Sequence, residues 1–213
     1  MIIDAFELED GAKIECNVCI VGGGPAGITL ANELAGTSYS VAVLESGGLV
    51  PTVESQDLYD GKSFGQRYGP LNAVRLRSLG GSSGHWAGYL RRLRDNDIRG
   101  RPWISGSEWP IDVSELRLYE NRAKKLIGLG DASLEGEYWA STLDLPFLRF
   151  EQSRITHGVT LIRRLHFGKF AQEKLTDSSN VSIYLNANLA DIELTENADH
   201  ASSLDVKTLS GKS

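Results

Sequence analysis

One stretch constrains this chain more than any other. Gly22-Gly23-Gly24-Pro25-Ala26-Gly27 is a G-x-G-x-x-G set between two apolar runs. The first run, Cys16-Asn17-Val18-Cys19-Ile20-Val21, predicts a strand buried in a parallel sheet. After the glycines, Ile28, Ala31, Leu34 and Ala35 share one stripe of a helix expected from Pro25 to about Ala35. Pro25 suits the first turn, where its missing N–H is no loss, and Gly36 is a fitting stop. A second strand, Val41 to Leu44, ends at the acid Glu45.

A glycine motif gains meaning from this strand–helix–strand–acid frame. Gly22 permits the tight turn out of the strand, Gly24 lets a pyrophosphate approach the backbone, and Gly27 allows close helix–strand packing. Pro25 and Ala26 open the helix whose free N–H groups and positive dipole end face the phosphates. Glu45 would accept hydrogen bonds from ribose hydroxyls, with Ser46 beside it. The expected ligand is an adenine dinucleotide.

Composition narrows the field. A net charge of −6 over 213 residues argues against a nucleic-acid partner. No apolar run reaches the ~20 residues that cross a bilayer. Met1 to Glu15 has neither a basic nor an apolar leader segment, so a cytoplasmic location is expected. The two cysteines, Cys16 and Cys19, are expected on opposite faces of one strand, where they could share neither a metal nor a disulfide. No metal site is expected.

The region after Glu45 discriminates between cofactors. A domain for a nicotinamide dinucleotide would continue with another helix and strand within about 30 residues. Here Ser46-Gly47-Gly48 leads into a long excursion carrying Pro51, Gly61, Gly65, Gly69 and Pro70, without a clean helical period. Loops of that length are uncommon unless they serve a site. The excursion ends in a second glycine-rich segment, Leu79-Gly80-Gly81-Ser82-Ser83-Gly84-His85-Trp86-Ala87-Gly88. Small residues in a row let backbone amides face a ligand closely. A flavin needs such a second cradle for its ring, which favours FAD. Extended backbone would turn His85 and Trp86 to opposite sides.

The first βαβ unit followed by Leu79-Gly80-Gly81-Ser82-Ser83 resembles the glucose–methanol–choline (GMC) oxidoreductase family. Gly84-His85-Trp86-Ala87-Gly88 and Trp109-Pro110-Ile111 are similar to its bacterial sugar- and polyol-dehydrogenase branch. The resemblance implies FAD as cofactor, a small alcohol or sugar as substrate, and hydride transfer to flavin N5. It also implies an electron acceptor, with oxygen, quinone and a cytochrome partner all open. Gly80, Gly81, Ser82 and Ser83 become cofactor contacts. His85 stands where pyranose-oxidase-like members join a histidine to the flavin, and is a candidate for such a bond. Near Ala187-Asn188-Leu189 the family passes the adenine, making Leu189 a candidate backbone contact.

The remainder reads as scaffold. Arg75, Arg77, Arg91, Arg92, Arg94, Arg99 and Arg101 form a locally basic stretch, read as arginines paired with Asp95, Asp97 and other acids or as a patch for anions. A helix is expected from an N-cap Ser114, with Leu116, Tyr119, Ala123, Leu126 and Ile127 as its apolar stripe and Gly128 as its stop. A weaker helix is expected over Val159 to Leu175, with Trp139, Pro146, Phe147 and Phe150 as core or pocket wall. His157, His166 and His200 read as surface or packing residues, and no pair of residues reads as a catalytic acid and base. Three short strands around Val181–Leu185, Leu189–Leu194 and Leu204–Leu209 suggest a β-meander.

The expected architecture is α/β: a Rossmann-type FAD-binding domain with a β-meander, interrupted by part of a substrate domain. Its segments are 1–100, 101–178 and 179–213. With two clear parallel strands and a chain ending at a turn, the fold is expected to be incomplete, its C-terminal half lying elsewhere. Another FAD-binding oxidoreductase, amine-oxidase-like, and a non-catalytic dinucleotide-binding fragment remain open.

Overall fold

The computed structural model describes residues 1–144, 146, 151, 154–155 and 158–213. Phe147, Phe150 and His157 lie outside the described residues. In chain order the elements are β1 (Ile2–Asp4), β2 (Val18–Val21), α1 (Pro25–Leu34), β3 (Val41–Leu44), α2 (Val53–Asp57), α3 (Leu71–Val74), β4 (Tyr89–Leu90), α4 (Asp95–Ile98), α5 (Val113–Leu126), α6 (Gly136–Leu143), β5 (Leu161–Ile162), α7 (Phe167–Leu175), β6 (Val181–Leu185), β7 (Asn188–Leu194) and β8 (Ala201–Lys207). Among the described residues no helix is long and apolar enough to cross a membrane.

They divide into two units, Met1–Trp86 with Leu165–Ser213, and Ala87–Arg164. The boundaries expected at 100 and 178 both shift earlier in the chain. For the later boundary the reason is α7, which packs against α1 and the 3-10 turn Gly81–Gly84 and so belongs to the first unit.

The first unit is built on a parallel sheet in the order β1-β6-β3-β2. All four residues of β3 are buried, as a continuous apolar run in a parallel sheet demands. On one face, Ala42, Leu44, Tyr184 and Ala187 cluster with Ala5, flanked by Ile3, Leu8, Cys16, Leu204 and Val206. Val41 and Val43 alternate to the other face, where α1 and α7 bring the buried Ile28, Ala31, Ala171 and Leu175. Each fully buried Val, Leu or Ile side chain here contributes about 1.5–3 kcal/mol.

Several expectations change. The parallel sheet has four strands, because Val181–Leu185 pairs with β1 and β3 instead of joining a meander. What remains of the meander is the antiparallel hairpin β7–β8. β1 escapes sequence detection because it is three residues long and sits among acids. β2 is an edge strand with only Ile20 buried, where a fully buried strand is expected. It also starts at Val18, so the alternation that would separate Cys16 from Cys19 does not reach Cys16. Cys16 packs on the cluster holding Ala42, the residue in register with Cys19. The thiols therefore meet: burial first, then Cys16, pushes the Cys19 thiol up to about 11. Both are free thiols.

The excursion after β3 carries the short helices α2 and α3, which a search for long periodicity misses. Gln56 on α2 braces α3 and the approach to the second glycine segment. Its Nε2 donates to the Asn72 and Arg75 carbonyls, and its Oε1 accepts from the Arg77 amide at 2.6 Å.

In the second unit, β4 pairs with β5, and Arg163 donates its amide to the Gly88 carbonyl at 2.8 Å. The weak helix expected from Val159 is instead the short strand β5 and irregular chain as far as His166, and only α7 is helical. α5 is capped by Asp112, not Ser114: the Asp112 carboxylate accepts from the Ser114 amide while Glu115 accepts from the Asp112 amide. Tyr119 and Ala123 of the expected stripe are exposed, and α5 buries Val113 and Lys124 instead. Gly128 ends α5 with a positive φ of 73°. Two arginines of the basic stretch stand in ion pairs: Arg92 forks onto Glu120 at 2.8 and 2.7 Å and also meets Glu135, and the exposed Arg99 lies 3.6 Å from Asp95.

Candidate dinucleotide site

The site grows from the turn after β2. Gly22 leaves the strand at φ +101°, a conformation that side chains other than glycine rarely adopt, and its amide is held by the Leu44 carbonyl at 2.8 Å. Gly24 is the N-cap of α1 in an extended conformation, and Pro25 follows at N1. A Cβ on Gly27 would lie 2.0 Å from the Gly22 carbonyl oxygen and 3.1 Å from Ile20 Cγ2. A Cβ on Gly24 would meet nothing within 4 Å. Gly27 is therefore required by packing, whereas Gly24 leaves open space beside the helix end. Ala26 is exposed in the first turn.

Glu45 ties this turn to the rest. Its carboxylate is 5% exposed; Oε2 accepts from the Gly23 amide at 2.8 Å and Oε1 from the Gly47 amide at 2.9 Å. The Ser46 hydroxyl adds a longer bond to Oε1 at 3.4 Å. Burial pushes the carboxyl above its usual range, while the Gly47 and Gly23 amides, Ser46 and the Arg77 charge pull it back. Each carboxylate oxygen keeps acceptor capacity for a further hydroxyl.

The second glycine segment is laid against the first. Leu79 donates its amide to the Gly48 carbonyl at 2.9 Å, and Gly80 donates to the Gly23 carbonyl at 2.7 Å. A Cβ on Gly81 would stand 3.5 Å from Gly24 Cα. Two segments more than fifty residues apart in sequence thus form one backbone-lined cradle. Gly80 has φ +92°, and a Cβ there would lie 2.2 Å from the Gly168 amide nitrogen.

The serines act as braces. Ser83 is buried; its hydroxyl donates to the Gly80 carbonyl at 2.6 Å and accepts from the Phe167 amide at 3.0 Å. Ser82 Oγ accepts from the Leu76 amide at 3.2 Å. The segment is a 3-10 turn at 81–84, not an extended stretch, yet His85 and Trp86 still differ in environment. His85 is exposed just beyond the bend. Trp86 packs inward, its Nε1 donating to the Leu165 carbonyl at 3.0 Å and its ring edge-on to Phe167 at 6.0 Å. Leu189 lies in β7 opposite Val206, one residue beyond Asn188.

Sequence reasoning missed three supports. α7 underlies the bend, with a Cβ on Gly168 falling 2.1 Å from the Leu79 carbonyl oxygen. His166 caps α7, its Nδ1 accepting from the Lys169 amide at 3.3 Å, and its ring lies beside Gly84. Gly47 leaves room for the Arg77 carbonyl, which would be 2.0 Å from a Cβ. Arg77 itself hydrogen-bonds Asn188 Oδ1 and lies over the Tyr59 ring at 5.1 Å. Its Nε is buried and without a hydrogen-bond partner, a state that costs about 1–3 kcal/mol unless an acceptor is supplied. Open space at Gly24, adjacent glycine backbones and a helix N-terminus are features that suit a phosphate, and the Glu45 carboxylate held at the turn is of the kind that suits ribose hydroxyls. The residues present fit a dinucleotide.

The parallel sheet, α1 and the glycine turn define a Rossmann-like α/β fold, and solved structures share it. The chain is similar to a fungal aryl-alcohol oxidase, with a TM-score of 0.57 and 14% identity, over 95% of this chain and 44% of that one. It is also similar to a formate oxidase of Aspergillus oryzae RIB40, in which the effect of a mutation on FAD modification was examined. There the TM-score is 0.50 and the identity 17%, over 96% of this chain and 44% of that one. The chain thus spans less than half the length of either oxidase. No protein-family profile matches it, and no curated protein does either.

Proposed function

We propose that this chain binds FAD and forms the cofactor-binding part of a GMC-type oxidoreductase that oxidises the CH–OH group of a sugar or polyol. The observation that carries the proposal is that the two glycine segments lie side by side, Gly80 donating its amide to the Gly23 carbonyl at 2.7 Å and a Cβ on Gly81 falling 3.5 Å from Gly24 Cα, so that one extended ligand can touch both. The fold shared with two oxidases supports the same reading.

In this reading the amides of Gly24 and Ala26, at the start of the helix that Pro25 opens, face the pyrophosphate, with Gly22 and Gly27 holding the turn. Glu45, steadied by Ser46, accepts from the ribose hydroxyls, which also disfavours a 2′-phosphate. Leu189 offers a backbone contact to the adenine. Gly80 and Gly81 present backbone to the flavin end, with Ser82 and Ser83 keeping that bend in shape. When bound, FAD supplies the hydride acceptor. His85, exposed at the bend, is the residue we assign to a covalent flavin link.

Titrating the purified chain with FAD and with NAD, followed by flavin fluorescence and calorimetry, tests this. Saturable FAD binding with little or no NAD binding is expected. A folded chain that takes up no FAD would refute it.

A further inference from the structure

We propose that Arg91 and Arg94 form an anion site on the second unit, one that takes the phosphoryl or carboxylate group of a small molecule. The site belongs to Ala87–Arg164, whereas the dinucleotide cradle belongs to the first unit, so it stands whether or not the chain binds FAD.

The convergence of two guanidiniums carries the proposal. A Cβ on Gly158 would lie 2.8 Å from Arg91 Nη2 and 3.1 Å from Arg94 Nη2. The two nitrogens therefore stand no more than about 6 Å apart. Strand pairing brings the segments together: the antiparallel register of Tyr89 with Ile162 and Leu90 with Leu161 lays the residues after β4 alongside those before β5. Gly158 then makes room. Its φ lies outside the left-handed range, so the missing side chain serves space there and not backbone shape. Both arginines are exposed. Long side chains of like charge gain by pointing apart, yet these two reach one spot.

No acid neutralises them. Every Asp and Glu of the chain is among the described residues, and none of these stands in an ion pair with Arg91 or Arg94. Acids of the same unit are engaged elsewhere. Asp95 faces Arg99 at 3.6 Å, the Asp97 carboxylate accepts from the Arg94 backbone amide at 2.8 Å, and Glu120 and Glu135 are taken by Arg92. Charge-assisted N–H···O bonds are about 2.7–2.9 Å long, so one oxyanion giving an oxygen to each guanidinium spans a gap of this size. The planar guanidinium fork matches phosphoryl and carboxylate oxygens alike. A phosphoryl group, with a charge of about −1.5 to −2 at pH 7, balances two cations better than a carboxylate does.

Titrating the purified chain with inorganic phosphate, acetate or chloride at constant ionic strength, followed by the arginine Nε–Hε signals in 15N NMR, tests this. Phosphate is expected to shift the Arg91 and Arg94 signals saturably, acetate more weakly and chloride not at all. Arg91→Gln and Arg94→Gln should each weaken phosphate binding at least about tenfold. Arg99→Gln, which removes an arginine already facing Asp95, should leave it unchanged. Gly158→Ala crowds the tips of two flexible side chains, so it should weaken binding in a chain that circular dichroism shows folded; it keeps the test open if an arginine variant does not fold. Acetate binding as tightly as phosphate upholds the site and makes its ligand a carboxylate. Signals that phosphate leaves unmoved, shifts that chloride reproduces, or binding that survives both arginine replacements overturn the proposal.

Discussion

Gly24 and Gly27 are three residues apart in one motif, yet the structure gives them opposite roles. Replacing Gly27 by Ala would put Cβ 2.0 Å from the Gly22 carbonyl oxygen, with Ile20 Cγ2 at 3.1 Å behind it. Ordinary C···O contacts lie near 3.3–3.6 Å, so backbone must retreat by more than about 1 Å. Overpacking of this kind costs typically 1–3 kcal/mol or more, and alanine's better helix propensity returns up to about 1 kcal/mol. A net loss of about 2 kcal/mol is expected, lowering the melting temperature by about 4–8 °C. Gly24→Ala adds a Cβ that touches nothing in the free chain, at a φ of −82° that alanine adopts freely. It should melt within a degree or two of wild type but bind FAD at least about tenfold more weakly, because the methyl occupies ligand space. Circular-dichroism melts and FAD titrations on both variants decide the matter. If Gly27→Ala is as stable as wild type, or if Gly24→Ala unfolds the chain while Gly27→Ala spares it, the two glycines do not divide packing and binding between them.

Ser83→Ala removes the acceptor of the buried Phe167 amide and the donor to Gly80, so a loss of about 1–3 kcal/mol is expected, read by urea unfolding. Glu45 also predicts a pH effect. Burial raises its pKa, so between the ordinary value of 4.5 and the raised folded value the folded chain binds more protons than the unfolded one. The stability tied to the neutral carboxyl is present in full below 4.5 and is lost as pH rises through the raised value. Glu45→Gln should flatten the melting temperature across that window, and an unchanged slope would count against it. For His85, acid precipitation of the FAD-loaded protein should leave flavin in the pellet for wild type and release it for His85→Ala; full release from wild type rules out the covalent bond.

The legibility of the fold and site in the sequence differs from residue to residue. The reading of Gly22 as a tight turn and Gly27 as close packing needs only local geometry, and the φ of Gly22 and the crowding at Gly27 agree with it. The burial of β3 follows in the same way from four consecutive apolar residues. The role of Val181–Leu185 is not legible: an apolar run of five fits a meander or a central parallel strand equally well, and only its pairing with β1 and β3 decides. The cap of α5 falls two residues before the serine that the sequence suggests, because Asp112 and Ser114 are both capable N-caps and the choice depends on where the preceding chain enters.

The amino-acid sequence alone determined that a strand, a glycine turn, a helix, a strand and an acid succeed one another, since periodicity and glycine's missing side chain act over a few residues. Tertiary structure alone decided that Gly81 reaches Gly24, that Glu45 joins Gly23 to Gly47, and that Arg77 lies between Asn188 and Tyr59. Contacts between segments so far apart in the chain depend on how β3, β6 and α7 pack together, and packing of distant segments leaves no local pattern in the order of residues.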